Sequence, residues 1–184
     1  MGRIVVSQFV TVDGVIEDPG GSEGMERGGW AFQFNRGDDG DKFKLDEVMG
    51  SDALLLGRVT YEGFAAAWPS RDGDFADKFN TMPKYVVSST LSDPEWANST
   101  VIGVADVAAL KDQHGTILVN GSRRLVDALT DEGLVDEYRL MVFPVVLGSG
   151  KRLFGDTSAT KPLELAESKP VGPDGVVILT YRPK

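Results

Sequence analysis

Two strand–glycine–helix junctions, about sixty positions apart, constrain this chain more than any other feature. The first is Ala53–Trp68, ALLLGRVTYEGFAAAW, and the second is Thr116–Leu129, TILVNGSRRLVDAL. Each runs from a short apolar strand through a glycine straight into a helix. Free backbone N–H groups at the positive end of a helix suit phosphate groups. Each junction also carries arginine at its turn: Arg58 in the first, Arg123 and Arg124 in the second. Two such junctions point to a ligand with more than one phosphate, and a dinucleotide fits.

The rest of the chain extends the same pattern. Ile4–Val10 reads as a strand that ends in the turn Thr11-Val12-Asp13-Gly14. Asp41–Met49 reads as a helix whose buried face holds Leu45, Val48 and Met49, with Gly50 as its stop. Tyr61, Phe64, Ala65 and Trp68 mark one face of the next helix, and Phe75 and Phe79 mark another short one. Lys84–Ser88 and Thr100–Val104 read as strands, Asp106–Lys111 as a short helix, and Leu125, Val126 and Leu129 as the buried face of the helix after the second junction. Val135–Phe143, Leu163–Ser168 and Val176–Tyr181 are strands with no helix between them. Strands alternating with helices, then strands alone, predict an α/β fold: one domain over 1–184, with a mostly parallel sheet of about eight strands and antiparallel strands at its C-terminal end.

Charge and residue usage exclude several chemistries. With 19 basic and 28 acidic residues the formal charge is −9, which argues against nucleic acid or an anionic membrane as partner. The absence of cysteine removes disulfides, thiolate nucleophiles, iron–sulfur clusters and Cys-based zinc sites. The one histidine, His114, lies in a polar stretch and reads as structural or solvent-facing, and no metal site is expected. No apolar run approaches the ~20 residues of a membrane span. Without signal-peptide features the chain reads as cytoplasmic. Gly148-Ser149-Gly150-Lys151 looks like the end of a P-loop, but Val145 and Arg152 stand where the motif needs Gly and Ser or Thr.

Five segments, in order, carry a resemblance to a known superfamily: Val10–Gly14, Gly57–Glu62 (GRVTYE), Tyr85–Ser89, Val119–Ser122 and Gly133–Phe154 (GLVDEYRLMVFPVVLGSGKRLF). The chain resembles the dihydrofolate-reductase-like proteins, and most closely the C-terminal reductase domain of bifunctional riboflavin-biosynthesis proteins and its stand-alone relatives. The resemblance implies NADPH as cofactor, held by Gly57, Arg58, Thr60, Ser88, Ser89, Gly121, Ser122 and Arg123. It also implies a homodimer and a small heterocyclic or carbonyl substrate, with the ribosylated, phosphorylated pyrimidine of riboflavin biosynthesis as the model. The chain departs from the riboflavin reductases at three places. Ser7 stands where they carry a lysine, Thr11 where they carry a serine, and Asn120-Gly121-Ser122 where they carry Glu-Gly-Gly.

Hydride transfer needs the nicotinamide held against an electrophilic carbon with water excluded, and a donor for the atom that gains negative charge. Asp13 is the first candidate for that donor, with Thr11 beside it; the competing reading makes Asp13 part of an Asp-Gly turn. Trp30, Phe43 and Glu47 are candidates for the substrate side. Trp30 could instead be core, and Glu47 or its neighbour Asp46 could be a solvated helix face. The Gly- and Asp-rich segment 18–41 would choose the substrate. Its aromatics either line a pocket or cover the edge of the core. The other functions open at this level are a non-catalytic dimeric binding module on the same fold and dihydrofolate reductase activity.

Overall fold

The computed structural model describes residues 1–184. One sheet of eight strands runs in the order β4-β3-β2-β5-β1-β6-β8-β7. The strands are β1 (Arg3–Thr11), β2 (Ala53–Gly57), β3 (Lys84–Val87), β4 (Ser99–Ile102), β5 (Thr116–Val119), β6 (Glu137–Phe143), β7 (Leu163–Val171) and β8 (Val176–Pro183). β4, β3, β2, β5, β1 and β6 are mutually parallel, while β8 runs antiparallel to both β6 and β7. The helices are α1 (Gly37–Met49), α2 (Arg58–Ala67), α3 (Asp74–Thr81), α4 (Val107–Leu110) and α5 (Arg123–Asp131). The α/β class, the eight strands and the antiparallel end agree with the sequence reading. β7 and β8 run a few residues longer than expected, because they form a hairpin whose ladder continues past the apolar positions.

Helices cover both faces, so the central strands are apolar on both sides; all five residues of β2 are buried. One layer packs Val48, Tyr61, Phe79 and Trp96 from the α1–α2–α3 side against Val5, Leu54, Leu56, Val86 and Leu118. The other packs Val107, Leu110, Leu125, Val126 and Leu129 from α4 and α5 against Ile4, Val6, Leu55, Ile117 and Val119. A third cluster, Trp30, Ala31, Phe143, Val171 and Ile178 with Phe9 and Phe34 beside it, lies under the segment before α1. Trp30 and Phe34 therefore close the edge of the core, and only Phe32 of that aromatic group stands in solvent.

α1 corrects the sequence reading. It starts four residues earlier than Asp41, and its buried residues are Gly40, Lys44, Glu47 and Val48, while Met49 is exposed and Leu45 half-buried. The buried stripe still has helical spacing, but two of its members are charged. Burial of charge is tolerated only with a partner. Lys44 and Glu47 pair with each other, and the Ser7 hydroxyl on β1 meets both, 2.6 Å from Lys44 Nζ and 2.7 Å from Glu47 Oε2. A reading by hydropathy sends such residues outward. Gly50 does follow the helix, with φ at −82°, so it ends α1 without adopting the left-handed conformation.

Lys84, at the start of β3, is fully buried and was not foreseen as an interior residue. Its ammonium donates to the carbonyls of Asn80 (3.2 Å), Met82 (2.8 Å) and Ala97 (2.9 Å), and lies 4.4 Å from the Trp96 ring centroid. It thereby serves carbonyls that the end of α3 leaves free. Burial pushes its pKa down to about 8. The unfolded chain then binds more protons than the folded one between pH 8 and the ~10.4 of a free lysine, so folding stability from this group rises with pH across that window. Stability of the wild type relative to Lys84→Met is expected to increase by up to about 1.4 kcal/mol per pH unit there. Urea unfolding of both proteins at pH 7.5 and 9.5 checks it, and a constant difference would sink the assignment.

Candidate functional site

The sheet order makes neighbours of the two glycine junctions. β2 pairs with β5 at Leu55 and Val119, so both chains leave the same edge of the sheet side by side. The Gly57 N–H donates to the Gly121 carbonyl at 3.1 Å. α2 departs to one face and α5 to the other, as the two core layers require. Adjacent parallel strands whose helices part to opposite faces leave a crevice beyond their carboxyl ends, where α/β sheets bind ligands.

Glycine is needed on both walls of this crevice. A Cβ on Gly57 would stand 2.0 Å from Ser122 Oγ and 3.0 Å from its backbone nitrogen. A Cβ on Gly121 would stand 2.8 Å from Thr60 Oγ1, and Gly121 has φ at +124°, which disfavours any other residue. Along the same edge Ser88 and Ser89 follow β3, which pairs with β2 up to Gly57–Val87. The Ser88 hydroxyl accepts the N–H groups of Thr90 (3.1 Å) and Leu91 (3.0 Å), shaping that turn, and Ser89 is exposed. The expected cofactor residues thus form one row across the ends of β3, β2 and β5.

The arginines are engaged with neighbours. Arg58 binds both oxygens of Glu62, at 2.8 and 2.9 Å, on the exposed surface of α2. Arg123 lies 3.2 Å from Asp127 and packs against Gly155. Arg124 is exposed on the first turn of α5 with no acidic partner.

On its other side β5 lies against β1, and here the sheet opens. β1 pairs with β5 only from Arg3 to Val6, yet continues with β6 as far as Thr11–Phe143. From Ser7 onward β1 has no ladder partner toward β5. Asn120 reaches across this gap, its Nδ2 3.4 Å from the Ser7 carbonyl. Two polar atoms here are buried without a hydrogen-bond partner, Gln8 Nε2 and Asn120 Oδ1. On the α1 side of β1, the Phe9 ring lies 5.1 Å from the Arg36 guanidinium carbon and 5.4 Å from Lys44 Nζ.

Asp13 and Thr11 are hydrogen-bonded to each other, and Asp13 to the turn after β6. The Asp13 carboxylate accepts the Thr11 hydroxyl at 2.6 Å, the Gly148 N–H at 2.8 Å and the Leu147 N–H at 3.2 Å. The Thr11 hydroxyl bond, with the Gly148 and Leu147 amides, outweighs burial and lowers the Asp13 pKa. A carboxyl so held stays ionised at neutral pH, fastening the 145–152 turn to the end of β1. Thr11 Oγ1 also accepts the Val15 N–H at 2.9 Å. Trp30 is 1% exposed, with its indole N–H on the Glu17 carbonyl, so its ring has no face free for a ligand. Phe43 and Glu47 do share a pocket, of about 430 Å³, with Arg3, Glu137, Arg139 and Arg182.

That pocket is floored by a buried ion network. Arg139 Nε donates to Glu137 at 2.7 Å, Arg182 donates to the same carboxylate at 3.0 Å, and Arg139 also lies 3.5 Å from Glu47. Burial pushes the Glu137 carboxyl up, but Arg139, Arg182 and Arg3 outweigh it and hold the pKa below the usual value. Asp136, its neighbour, points the other way as sequence alternation requires, accepting the Ile4 N–H and pairing with Lys111. His114 lies apart, 2.9 Å from the Tyr85 hydroxyl. No group of acidic or histidine side chains is arranged to hold a metal ion, and no helix is long and apolar enough to cross a membrane.

Sequence reasoning missed Lys44 and Gln8. Their signal was present as polar residues at core-facing positions, at i+4 from Gly40 and inside an apolar strand, but neither stands beside a glycine turn.

The two glycines thus meet at a crevice beyond the carboxyl ends of parallel strands, where α/β sheets commonly bind ligands. The model of the RibD C-terminal domain matches residues 3–177, and the chain belongs to that family. The uncharacterized protein YyaP of Bacillus subtilis is 29% identical over 97% of this chain and 94% of its own. A putative riboflavin biosynthesis protein from Shewanella sp. PV-4 superposes with a TM-score of 0.78 at 21% identity, covering 99% of each chain. Dihydrofolate reductase from Enterococcus faecalis, solved with NADP(H), superposes at 0.64 and 16% identity, covering 100% of this chain and 97% of that one. The fold is thus reductase-like, of the dihydrofolate-reductase type.

Proposed function

We propose that this protein is an NADPH-dependent reductase of a small heterocyclic or carbonyl substrate, related to the pyrimidine reductases of riboflavin biosynthesis. The observation that carries the reading is the meeting of Gly57 and Gly121 at a crevice that continues into the open half of β1. The residues present fit a dinucleotide. Both glycines let the ends of β2 and β5 approach each other closely, and the buried polar atoms Gln8 Nε2 and Asn120 Oδ1 beside them have no partner within the chain. Gly57, Thr60, Gly121 and Ser122 would hold the diphosphate, with the α2 and α5 N-termini supplying positive potential. Ser88 and Ser89 would meet the adenosine end, and Arg58 and Arg123 would exchange their carboxylates for phosphate, joined by Arg124.

NADPH, when bound, supplies the hydride. This chain's own residues then place the substrate and hold a proton near it. Asp13 and Thr11 act by position, fixing the turn that closes the end of β1. The proton would come from the Lys44 ammonium, which the Ser7 hydroxyl and the Glu47 carboxylate hold in place on the α1 side of β1. Phe9 would line the substrate side, and the pocket of Phe43 and Glu47 extends from there toward the amino ends of β1, β5 and β6. The same reading takes the protein as a cytoplasmic homodimer, for which the edge strand β7, exposed from Glu164 to Pro170, offers a free edge.

Titration with NADPH and NADH, followed by fluorescence of Trp30, Trp68 and Trp96, tests this. Saturable binding that favours NADPH is expected, and Arg58→Ala should weaken NADPH by about tenfold while leaving NADH nearly unchanged. Binding of neither cofactor would overturn the reductase reading. Tight binding without NADPH oxidation across a panel of pyrimidines, pterins and carbonyl compounds would favour a binding module.

A further inference from the structure

The two unpartnered amide atoms beside the crevice have opposite hydrogen-bonding character. Gln8 is 8% exposed, and its Nε2 is a donor with nothing to donate to. Asn120 Oδ1 is a buried acceptor with nothing to accept from. Buried polar groups left unpaired cost free energy, and in folded proteins nearly all find a partner.

Their placement is specific. Gln8 lies one residue past Ser7, where β1 loses its β5 partner, and Asn120 is the first residue after β5. Gln8 Nε2 comes within 3.8 Å of the position a Cβ on Gly121 would take, the same point that Thr60 Oγ1 approaches to 2.8 Å. Asn120 is anchored only by its Nδ2, on the Ser7 carbonyl, which turns Oδ1 toward other partners. A free donor on β1 and a free acceptor at the end of β5 thus lie on neighbouring strands beside the contact of Gly57 with Gly121.

We propose that Gln8 and Asn120 form an amide-reading pair, in which Gln8 Nε2 donates to the carbonyl and Asn120 Oδ1 accepts the N–H of one planar amide on the ligand. Two groups share that chemistry: the carboxamide of a nicotinamide ring and the lactam edge of a pyrimidine or pteridine substrate. The pair is a positioning and specificity device, and its assignment rests on the reductase reading above. It accounts for polar side chains at two sites where an apolar residue would pack without penalty. Ligand binding repairs the unpaired atoms, so a compound lacking the amide would leave both unsatisfied.

The test uses Gln8→Leu, Asn120→Leu and Asn120→Asp, the last of which keeps the acceptor. Three probes separate the outcomes: NADPH; 2′-phospho-ADP-ribose, which has the phosphates and adenosine but no nicotinamide; and lumazine, which has lactam edges and no phosphate. Each Leu variant is expected to weaken the amide-bearing probe by roughly 10- to 100-fold, with 2′-phospho-ADP-ribose unchanged and affinity largely kept in Asn120→Asp. Loss confined to NADPH assigns the pair to the cofactor's carboxamide, and loss confined to lumazine assigns it to the substrate. Unchanged affinity for both amide-bearing probes overturns the pair while leaving the reductase reading intact. Equal weakening of all three nucleotide and lactam probes also overturns it, because a structural role would produce that. Failure of the wild type to bind either nucleotide sinks the reductase reading itself, and the pair then stands or falls on lumazine alone.

Discussion

Gly121→Ala is expected to lower NADPH affinity by about 100-fold and to destabilise the fold by roughly 1–3 kcal/mol. The methyl group would enter the crevice at the point where Thr60 Oγ1 stands 2.8 Å away, on a residue whose φ of +124° already excludes ordinary side chains. Both effects have one origin, because the backbone must come close to whatever lies above it. Gly57→Ala removes only the conformational part. Its φ is −77°, which any residue adopts, but the added Cβ would meet Ser122 Oγ at 2.0 Å and Ser122 N at 3.0 Å. It too should therefore cost about 1–3 kcal/mol of stability. Gly63→Ala, in the middle of α2 with no atom near its Cβ position, serves as control and should add about 0.5–1 kcal/mol of stability with binding intact. Isothermal titration and urea unfolding of the three variants check the set. Wild-type affinity in both Gly57→Ala and Gly121→Ala would show that the crevice is not where the nucleotide lies.

The second large effect concerns α1. Glu47→Ala should cost about 3–5 kcal/mol, because it strips the buried Lys44 of its counter-charge and removes a partner of Arg139. Replacing both charges at once, as Lys44→Met with Glu47→Leu, should lie within about 2 kcal/mol of the wild type, since an apolar pair of similar volume carries no unpaired charge. The same double variant should lose turnover, if Lys44 and Ser7 hold the proton for the reaction. A double-mutant cycle by chemical denaturation decides the stability part. A cost below about 1 kcal/mol for Glu47→Ala would mean that Lys44 finds solvent once Glu47 is gone, and that the network is a surface feature.

Much of this was legible in the residues. Apolar runs ending in glycine at Gly57 and Gly121 specify strands that turn into helices, since the periodicity changes from two to 3.6 across the glycine. The order of strands and helices then leaves few topologies, because crossovers between parallel strands have one hand. The strand before Ser88 and the arginines at both junctions could be read the same way. All of these are local, and local geometry depends on neighbours in sequence.

What the chain alone could not show depends on contacts between distant segments. Asp13 at the end of β1 reads equally as an acid or as a turn residue, and only the arrival of Gly148 and Leu147, 135 and 134 positions away, makes it a bracket held ionised. Glu47 reads as a solvated charge until Ser7, 40 positions earlier, is brought against it. Trp30 reads as a ligand platform until packing beside Phe143 buries its ring. Sequence by itself determined the elements, their order and the glycines at the two strand–helix junctions, because these follow from backbone conformation and short-range periodicity. The tertiary structure decided which polar groups are satisfied by the protein and which, like Gln8 Nε2 and Asn120 Oδ1, are buried without a partner. That distinction exists only once the strands are packed and water has been excluded from the space between them.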